Sequence, residues 1–160
     1  MAQSPVEVER KWLVRELPDL SPYHGEPVHQ GYIALSTDAT EVRLRQAGDK
    51  FFQTVKSRGG LVRDEIEIEL SLDQFEALWK ATAGRRLEKT RYRLPWMGKN
   101  VEVDVYRGAL TGLIVAEVEF SSADESARFT PPPWFGGEVT EDERYKNVNL
   151  ALHGEPPGHV

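Results

Sequence analysis

Through eight stretches of the chain, apolar and polar residues exchange places at every second position. The stretches run roughly 5–14, 28–36, 40–47, 51–58, 62–70, 87–94, 100–107 and 113–121. A period of two predicts β-strands, because successive side chains point to opposite faces. The breaks at Ser36–Thr40, Ala47–Lys50, Gly59–Leu61 and Pro95–Lys99 are short enough for hairpins. Between the fifth and sixth strands the spacing turns helical. Ser71 and Gln74 are spaced as a capping box, Phe75, Leu78 and Trp79 form an apolar stripe, and Gly84 can end the helix. A shorter helix is expected from Ser122, with Glu125 as its box partner. A third follows Thr140 and Glu143 towards Leu152, with Gly154 at its end. Pro131-Pro132-Pro133 reads as a stiff connector, and Trp12, Trp79 and Trp134 read as core or helix-to-sheet contacts. Residues 1–154 form one domain, and 155–160 a loose tail.

Strand parity sorts the charges. Glu7, Glu9 and Lys11 oppose Val6, Val8, Trp12 and Val14. Arg43 and Arg45 oppose Val42 and Leu44, while Lys56 and Arg58 share the face of Thr54. Arg63, Glu65, Glu67 and Glu69 oppose Val62, Ile66 and Ile68. Lys89, Arg91 and Arg93 share one face, as do Glu102 with Asp104 and Glu117 with Glu119. The second strand carries Gln30 and Tyr32 instead. A solvated face explains any one such strand. It does not explain segregation by sign, with acids on strands one, five, seven and eight and bases on three, four and six. About eight antiparallel strands can close around one small ligand. The predicted fold is therefore mainly β, a closed eight-stranded antiparallel β-barrel with a few flanking helices and its charged face as the lumen. Charges turned inward must pair, bind ions or stay hydrated.

Composition narrows the chemistry. The chain has 160 residues, of which 39% are hydrophobic, enough to bury the core of one domain. It has no cysteine, which excludes disulfides, thiolate zinc sites and cysteine nucleophiles. Its four histidines are scattered without ligand spacing, so a bound metal should be a hard cation held by oxygens. The net charge of −6 argues against nucleic acid as a partner. No run reaches membrane-spanning length and no secretory signal opens the chain, so a cytoplasmic protein with no membrane partner is expected. Apolar strand exteriors allow a homodimer.

A cationic arc facing a carboxylate arc suits a triphosphate. Arg and Lys grip phosphate oxygens from several directions, and carboxylates hold the divalent cation that neutralises developing charge. The run Glu7-Val8-Glu9-Arg10-Lys11 resembles the E-x-E-x-K hallmark of the CYTH superfamily, the triphosphate tunnel metalloenzymes. The similarity continues in order through Gln30-Gly31-Tyr32, Val42-Arg43-Leu44-Arg45, Thr54-Val55-Lys56, Arg63-Asp64-Glu65-Ile66-Glu67 and Lys89-Thr90-Arg91-Tyr92. It ends with Glu102-Val103-Asp104, Ala116-Glu117-Val118-Glu119 and Glu138-Val139-Thr140 with Arg144-Tyr145.

The chain looks most like the compact bacterial inorganic triphosphatases. The resemblance implies hydrolysis of a triphosphate, above all inorganic tripolyphosphate, with Mg²⁺ or Mn²⁺ as cofactor. It implies that Lys11, Arg43, Arg45, Lys56 and Arg91 bind phosphates. Glu7, Glu9, Asp104, Glu117 and Glu119 would hold metal or orient the attacking water. Lys89 and Glu65 or Glu67 would line the tunnel in support, and Tyr32 would tune water or phosphate position unless it is a packed barrel tyrosine. A cation near the carboxyl end would reach the tunnel mouth, Lys146 first and Arg144 as the alternative. The same cradle would also serve a class IV adenylyl cyclase making cyclic AMP from ATP, or a non-catalytic polyphosphate- or nucleotide-binding module.

Overall fold

A computed structural model describes residues 8–35, 40–57 and 65–157. Within them lie β1 (Val8–Val14), β2 (Glu26–Leu35), β3 (Glu41–Ala47), β4 (Lys50–Lys56) and β5 (Glu65–Leu70). Then follow β6 (Arg86–Trp96), β7 (Lys99–Tyr106), β8 (Ile114–Phe120) and β9 (Phe135–Glu138). All their pairings are antiparallel, in the spatial order β5-β4-β3-β2-β6-β7-β8-β1-β9. Three short helices accompany them: α1 (Leu72–Trp79), α2 (Ala123–Ala127) and α3 (Asn147–His153).

The eight predicted strands are all present, with ends shifted by a few residues. Two features differ from the expectation. The hydrogen-bonded ladder is not a closed ring, since β5 and β9 are its two ends among the described residues. There is also a ninth strand, β9. Its sequence, Phe-Gly-Gly-Glu after a proline run, has turn composition and no alternation to reveal it. It forms because β1 offers a free edge: Trp12 pairs with Glu138, Val14 with Phe135, and the Val139 amide donates to the Lys11 carbonyl at 2.8 Å. Glu7, Arg58 and Arg63 lie outside the described residues.

Directly paired residues share a face, so the register carries the charges from strand to strand. Glu9 lies opposite Glu119, Lys11 opposite Glu117, and Glu117 opposite Glu102. Arg93 and Arg91 face Glu102 and Asp104, and Tyr32 faces Arg43. The opposite face holds the main core, where Trp12, Val103, Val118 and Phe120 pack beneath Phe129 and Phe135. Trp12 and Phe135 rings meet at 4.9 Å between centroids, Phe120 and Phe129 at 5.1 Å. Arg10, the one charge on that face of β1, lies over the Trp12 ring and donates to Glu138 at 2.6 Å. A smaller apolar cluster closes one end of the charged face, where Leu87, Tyr106 and Val115 pack against Tyr145 and Leu150.

The helices cover what the sheet leaves bare. Ser71 caps α1 with a complete capping box, as its spacing predicts. Phe75 of α1 packs on Phe51 of β4 at 4.9 Å. The following 3₁₀ turn, Lys80–Thr82, sits so close to β2 that a Cβ at Gly31 would lie 2.7 Å from the Thr82 Cβ. Ser122 caps α2, but Glu125 turns to accept from the Ser121 hydroxyl and leaves the box half made. The third predicted helix is split at Lys146, with a 3₁₀ turn over Glu143–Tyr145 and α3 beyond it. The outer face of β5 stays uncovered, with Ile66 63% and Ile68 49% exposed.

Candidate functional site

The sheet curls its charged face around a cavity of about 510 Å³. Every strand from β1 to β8 contributes to the lining, and so does the start of α3. Four arginines and lysines reach it from β3, β4 and β1: Arg43, Arg45, Lys56 and Lys11. Lys89, Arg91 and Arg93 come from β6. The acids are Glu9, Glu117 and Glu119 on the paired strands β1 and β8, Glu102 on β7 opposite Glu117, and Glu41 and Glu65, which flank Lys56 in the register. Tyr32 also lines the cavity. It is 1% exposed and accepts a hydrogen bond from Gln30 Nε2 at 2.8 Å. Burial first, then the charge of Glu41, pushes its hydroxyl well above the usual tyrosine range, so it stays protonated.

The cationic wall is built to meet an anion. Arg43 is buried, and the Nε groups of Arg43 and Arg45 have no hydrogen-bond partner among the described residues. An unpartnered buried donor is costly unless a ligand takes it. Burial, then the charges of Arg43 and Arg91, pull the Arg45 guanidinium below the ordinary arginine range. Cations crowded until they repel one another are relieved by a polyanion.

Asp104 stands behind this wall. Its side chain is 3% exposed, and both oxygens are in use. Arg91 donates to it in a two-pronged contact at 2.8 and 2.9 Å, and Lys89 Nζ lies 2.8 Å away. Burial alone would raise its carboxyl, but Lys89 and then Arg91 outweigh that and hold it well below the usual carboxylate range. Burial opposes the Arg91 charge, and Asp104 more than restores it. Lys89 is fully buried, and burial lowers it despite Asp104. In this geometry Asp104 orients two cations and does not line the cavity.

The acidic wall is different in kind. Glu117 is pushed up to about 8, first by burial, then by its hydrogen bond to Glu9 and the Glu9 charge, with Lys11 opposing. Glu117 thus keeps its proton beside Glu9, to which it is hydrogen-bonded. Lys11 Nζ donates to the Tyr145 carbonyl at 3.1 Å, tying the first strand to the carboxyl-terminal segment.

Glu67 lies beside the cavity. It accepts from the Thr54 hydroxyl at 3.0 Å and stands 3.7 Å from Arg45, while Glu65 is in the lining. Lys146 reaches the cavity; Arg144 is turned away and clamps Asp142 with contacts at 2.9 and 2.7 Å. Glu41, Arg93 and Glu102 are lining residues to which the sequence assigned no role in the site. Parity alone signals all three, because Glu41 alternates with Arg43 and Arg45, and Arg93 and Glu102 extend faces already noted. Glu7 lies outside the described residues.

Two proteins named inorganic triphosphatase are similar to this chain along nearly all its length. That from Nitrosomonas europaea is 55% identical over 148 residues, which span 91% of this chain and 97% of that protein. That from Acetivibrio thermocellus is 37% identical over 147 residues, spanning 91% and 92%. A solved structure described as an inorganic triphosphatase superposes with a TM-score of 0.77 at 49% identity, over 98% of this chain and all of that one (100%). No family model matches the chain. With identity this high over this much of both chains, the protein belongs to the inorganic triphosphatase family, within the CYTH superfamily whose ordered motifs it carries.

Proposed function

We propose that this protein hydrolyses inorganic tripolyphosphate, with Mg²⁺ or Mn²⁺, in the cavity enclosed by its curled sheet. The observation that carries this reading is one cavity with cations on β3, β4 and β6 and carboxylates on β1 and β8. The relatives named inorganic triphosphatase support the same substrate. In this reading the curl of the sheet acts as the tunnel of the family, around a chain of phosphates lying along its axis.

The donors fit a hard dication. Glu117 keeps a proton, first because it is buried and then because it lies against Glu9, and Glu119 lies opposite Glu9 in the register. A dication would take that proton's place. Among the described residues no three metal-binding side chains converge. Mg²⁺ binds few carboxylates and fills its shell with water and phosphate oxygens. Glu9 and Glu117 would hold it. When bound, the ion supplies charge neutralisation and a more acidic water. The chain's own residues do the rest. Arg43, Arg45, Lys56 and Arg91 bind the phosphoryl oxygens, Lys11 and Lys146 approach from the α3 end, and Asp104 keeps Lys89 and Arg91 in place. Charges fixed before the substrate arrives need no reorganisation as charge develops on the leaving phosphate.

The test is phosphate release from tripolyphosphate with each cation, and with chelator. Activity should need the cation and should fall about a hundredfold or more in Glu9→Gln and in Arg45→Ala. Normal turnover in both variants, or cyclic AMP made from ATP in place of phosphate, would reject the reading.

A further inference from the structure

A groove of about 430 Å³ lies apart from the charged cavity and shares none of its lining residues. His29 and Glu88 show how the two are separated. Each is the strand neighbour of a residue in the charged cavity, Gln30 on β2 and Lys89 on β6, so each points to the opposite face. They pair directly in the register, with His29 Nδ1 3.6 Å from a Glu88 oxygen. Beyond β7 comes a 3₁₀ turn, Gly108–Leu110. Arg107, just before it, is fixed beside β6 because its amide donates to the Glu88 carbonyl at 2.9 Å. Leu87 and Leu110, both buried, give the groove apolar surface.

Arg86 is held in place before any ligand arrives. Its Nε donates to the Thr82 hydroxyl at 2.8 Å and its Nη2 to the Trp79 carbonyl at 2.7 Å. Its guanidinium carbon stands 4.6 Å from the centre of the Trp79 ring, and Phe75 stacks on the same ring at 5.1 Å. Arg86 is therefore the exposed member of a Phe75–Trp79–Arg86 series. Arg107 spends only its Nε, on the Thr90 hydroxyl at 3.3 Å. Its two terminal nitrogens, and Nη1 of Arg86, have no hydrogen-bond partner among the described residues.

We propose that this outer groove binds a nucleoside mono- or diphosphate, with the base against Arg86 and the phosphate on Arg107. The site is separate from triphosphate hydrolysis and does not depend on it. Its volume falls within the range of roughly 300–1,000 Å³ usual for small-molecule sites. A planar cation at the end of an aromatic series is extended by one more ring. The free fork of Arg107 matches two phosphate oxygens. Glu88 is the one acid in the groove, and it can accept from a ribose hydroxyl or a base amine. Its charge, beside Leu87 and Leu110, disfavours a bare inorganic phosphate chain.

Calorimetry tests this on the metal-free protein with tripolyphosphate already filling the charged cavity, and on Arg45→Ala without tripolyphosphate. ADP is the probe, with adenosine and pyrophosphate as controls. ADP should bind one to one in both proteins, and about tenfold or more tighter than either control. Arg107→Gln and Arg86→Gln should each weaken ADP about tenfold in the filled protein. Arg107→Lys should keep most of the affinity, because a point charge still meets the phosphate. Arg86→Lys should lose it, because the planar surface is gone. All four variants should bind tripolyphosphate within about twofold of wild type, which reports an intact fold. Failure of ADP to bind either protein overturns the proposal, as does pyrophosphate binding as tightly as ADP. Unchanged ADP affinity in both glutamine variants overturns it too. If tripolyphosphate is not hydrolysed but ADP binding and its dependence on Arg86 and Arg107 persist, the hydrolase reading fails and this site stands.

Discussion

Asp104 carries more of the site's architecture than any other single residue. One carboxylate holds the Lys89 ammonium and the Arg91 guanidinium at 2.8 Å each, nearly out of water. Removing one partner of a buried ion pair is severe because the other charge stays behind uncompensated. Asp104→Asn keeps the shape and leaves two such charges. Urea denaturation should show a loss of about 3–5 kcal/mol, and a loss under about 1 kcal/mol would mean that water reaches this pair. Glu117 is the opposite case. Its carboxyl rises from the ordinary 4.5 to about 8 on folding, so folding takes up a proton between those values. The stability this contributes is complete below about 4.5 and is lost as pH rises through about 8. The metal-free protein should therefore be less stable to urea at about pH 9 than at about pH 6, and Glu117→Gln should flatten that slope. An unchanged slope in the variant would locate the proton elsewhere.

At the scale of elements, alternation made the strands readable and left their neighbours hidden. A period of two needs only the identity of successive residues, so β1 to β8 and the inward face of each could be traced from the chain alone. That is why Arg43, Arg45, Glu117 and Glu119 could be assigned to one surface before any coordinates. β9 could not. Two of its four residues are glycine, and it exists only because β1 has an edge to offer. The depths of Asp104 and Glu119 were equally closed to sequence reasoning. Parity gives both the same face, and only the depth at which each sits separates a carboxylate committed to Lys89 and Arg91 from one facing the cavity. Lys146 and Arg144 are another such pair, separated by the extended Lys146 backbone that ends the 3₁₀ turn. Gly31 tests the packing of α1 and its turn on β2. A methyl group there would stand 2.7 Å from Thr82 and 2.9 Å from Trp79, so Gly31→Ala should cost about 1–3 kcal/mol in thermal or urea unfolding. A neutral result would mean that the turn can move off the sheet.

The whole molecule reconciles a net charge of −6 with a ligand that is itself a polyanion. It does so by distribution, since cations are gathered on the inner face of β3, β4 and β6 while many acids are left outside. Among the described residues the sheet that gathers them ends at the strand richest in competing carboxylates. Among the described residues β5 is bound along one flank only, by β4, and Glu67 leans from it onto Thr54 and Arg45. A phosphate bound at Arg45 would have to compete with this carboxylate. A wall fastened at a single seam can yield when the true guest arrives. The β5 amides should then exchange hydrogen for deuterium faster once tripolyphosphate fills the cup, while those of β7 and β8 slow down.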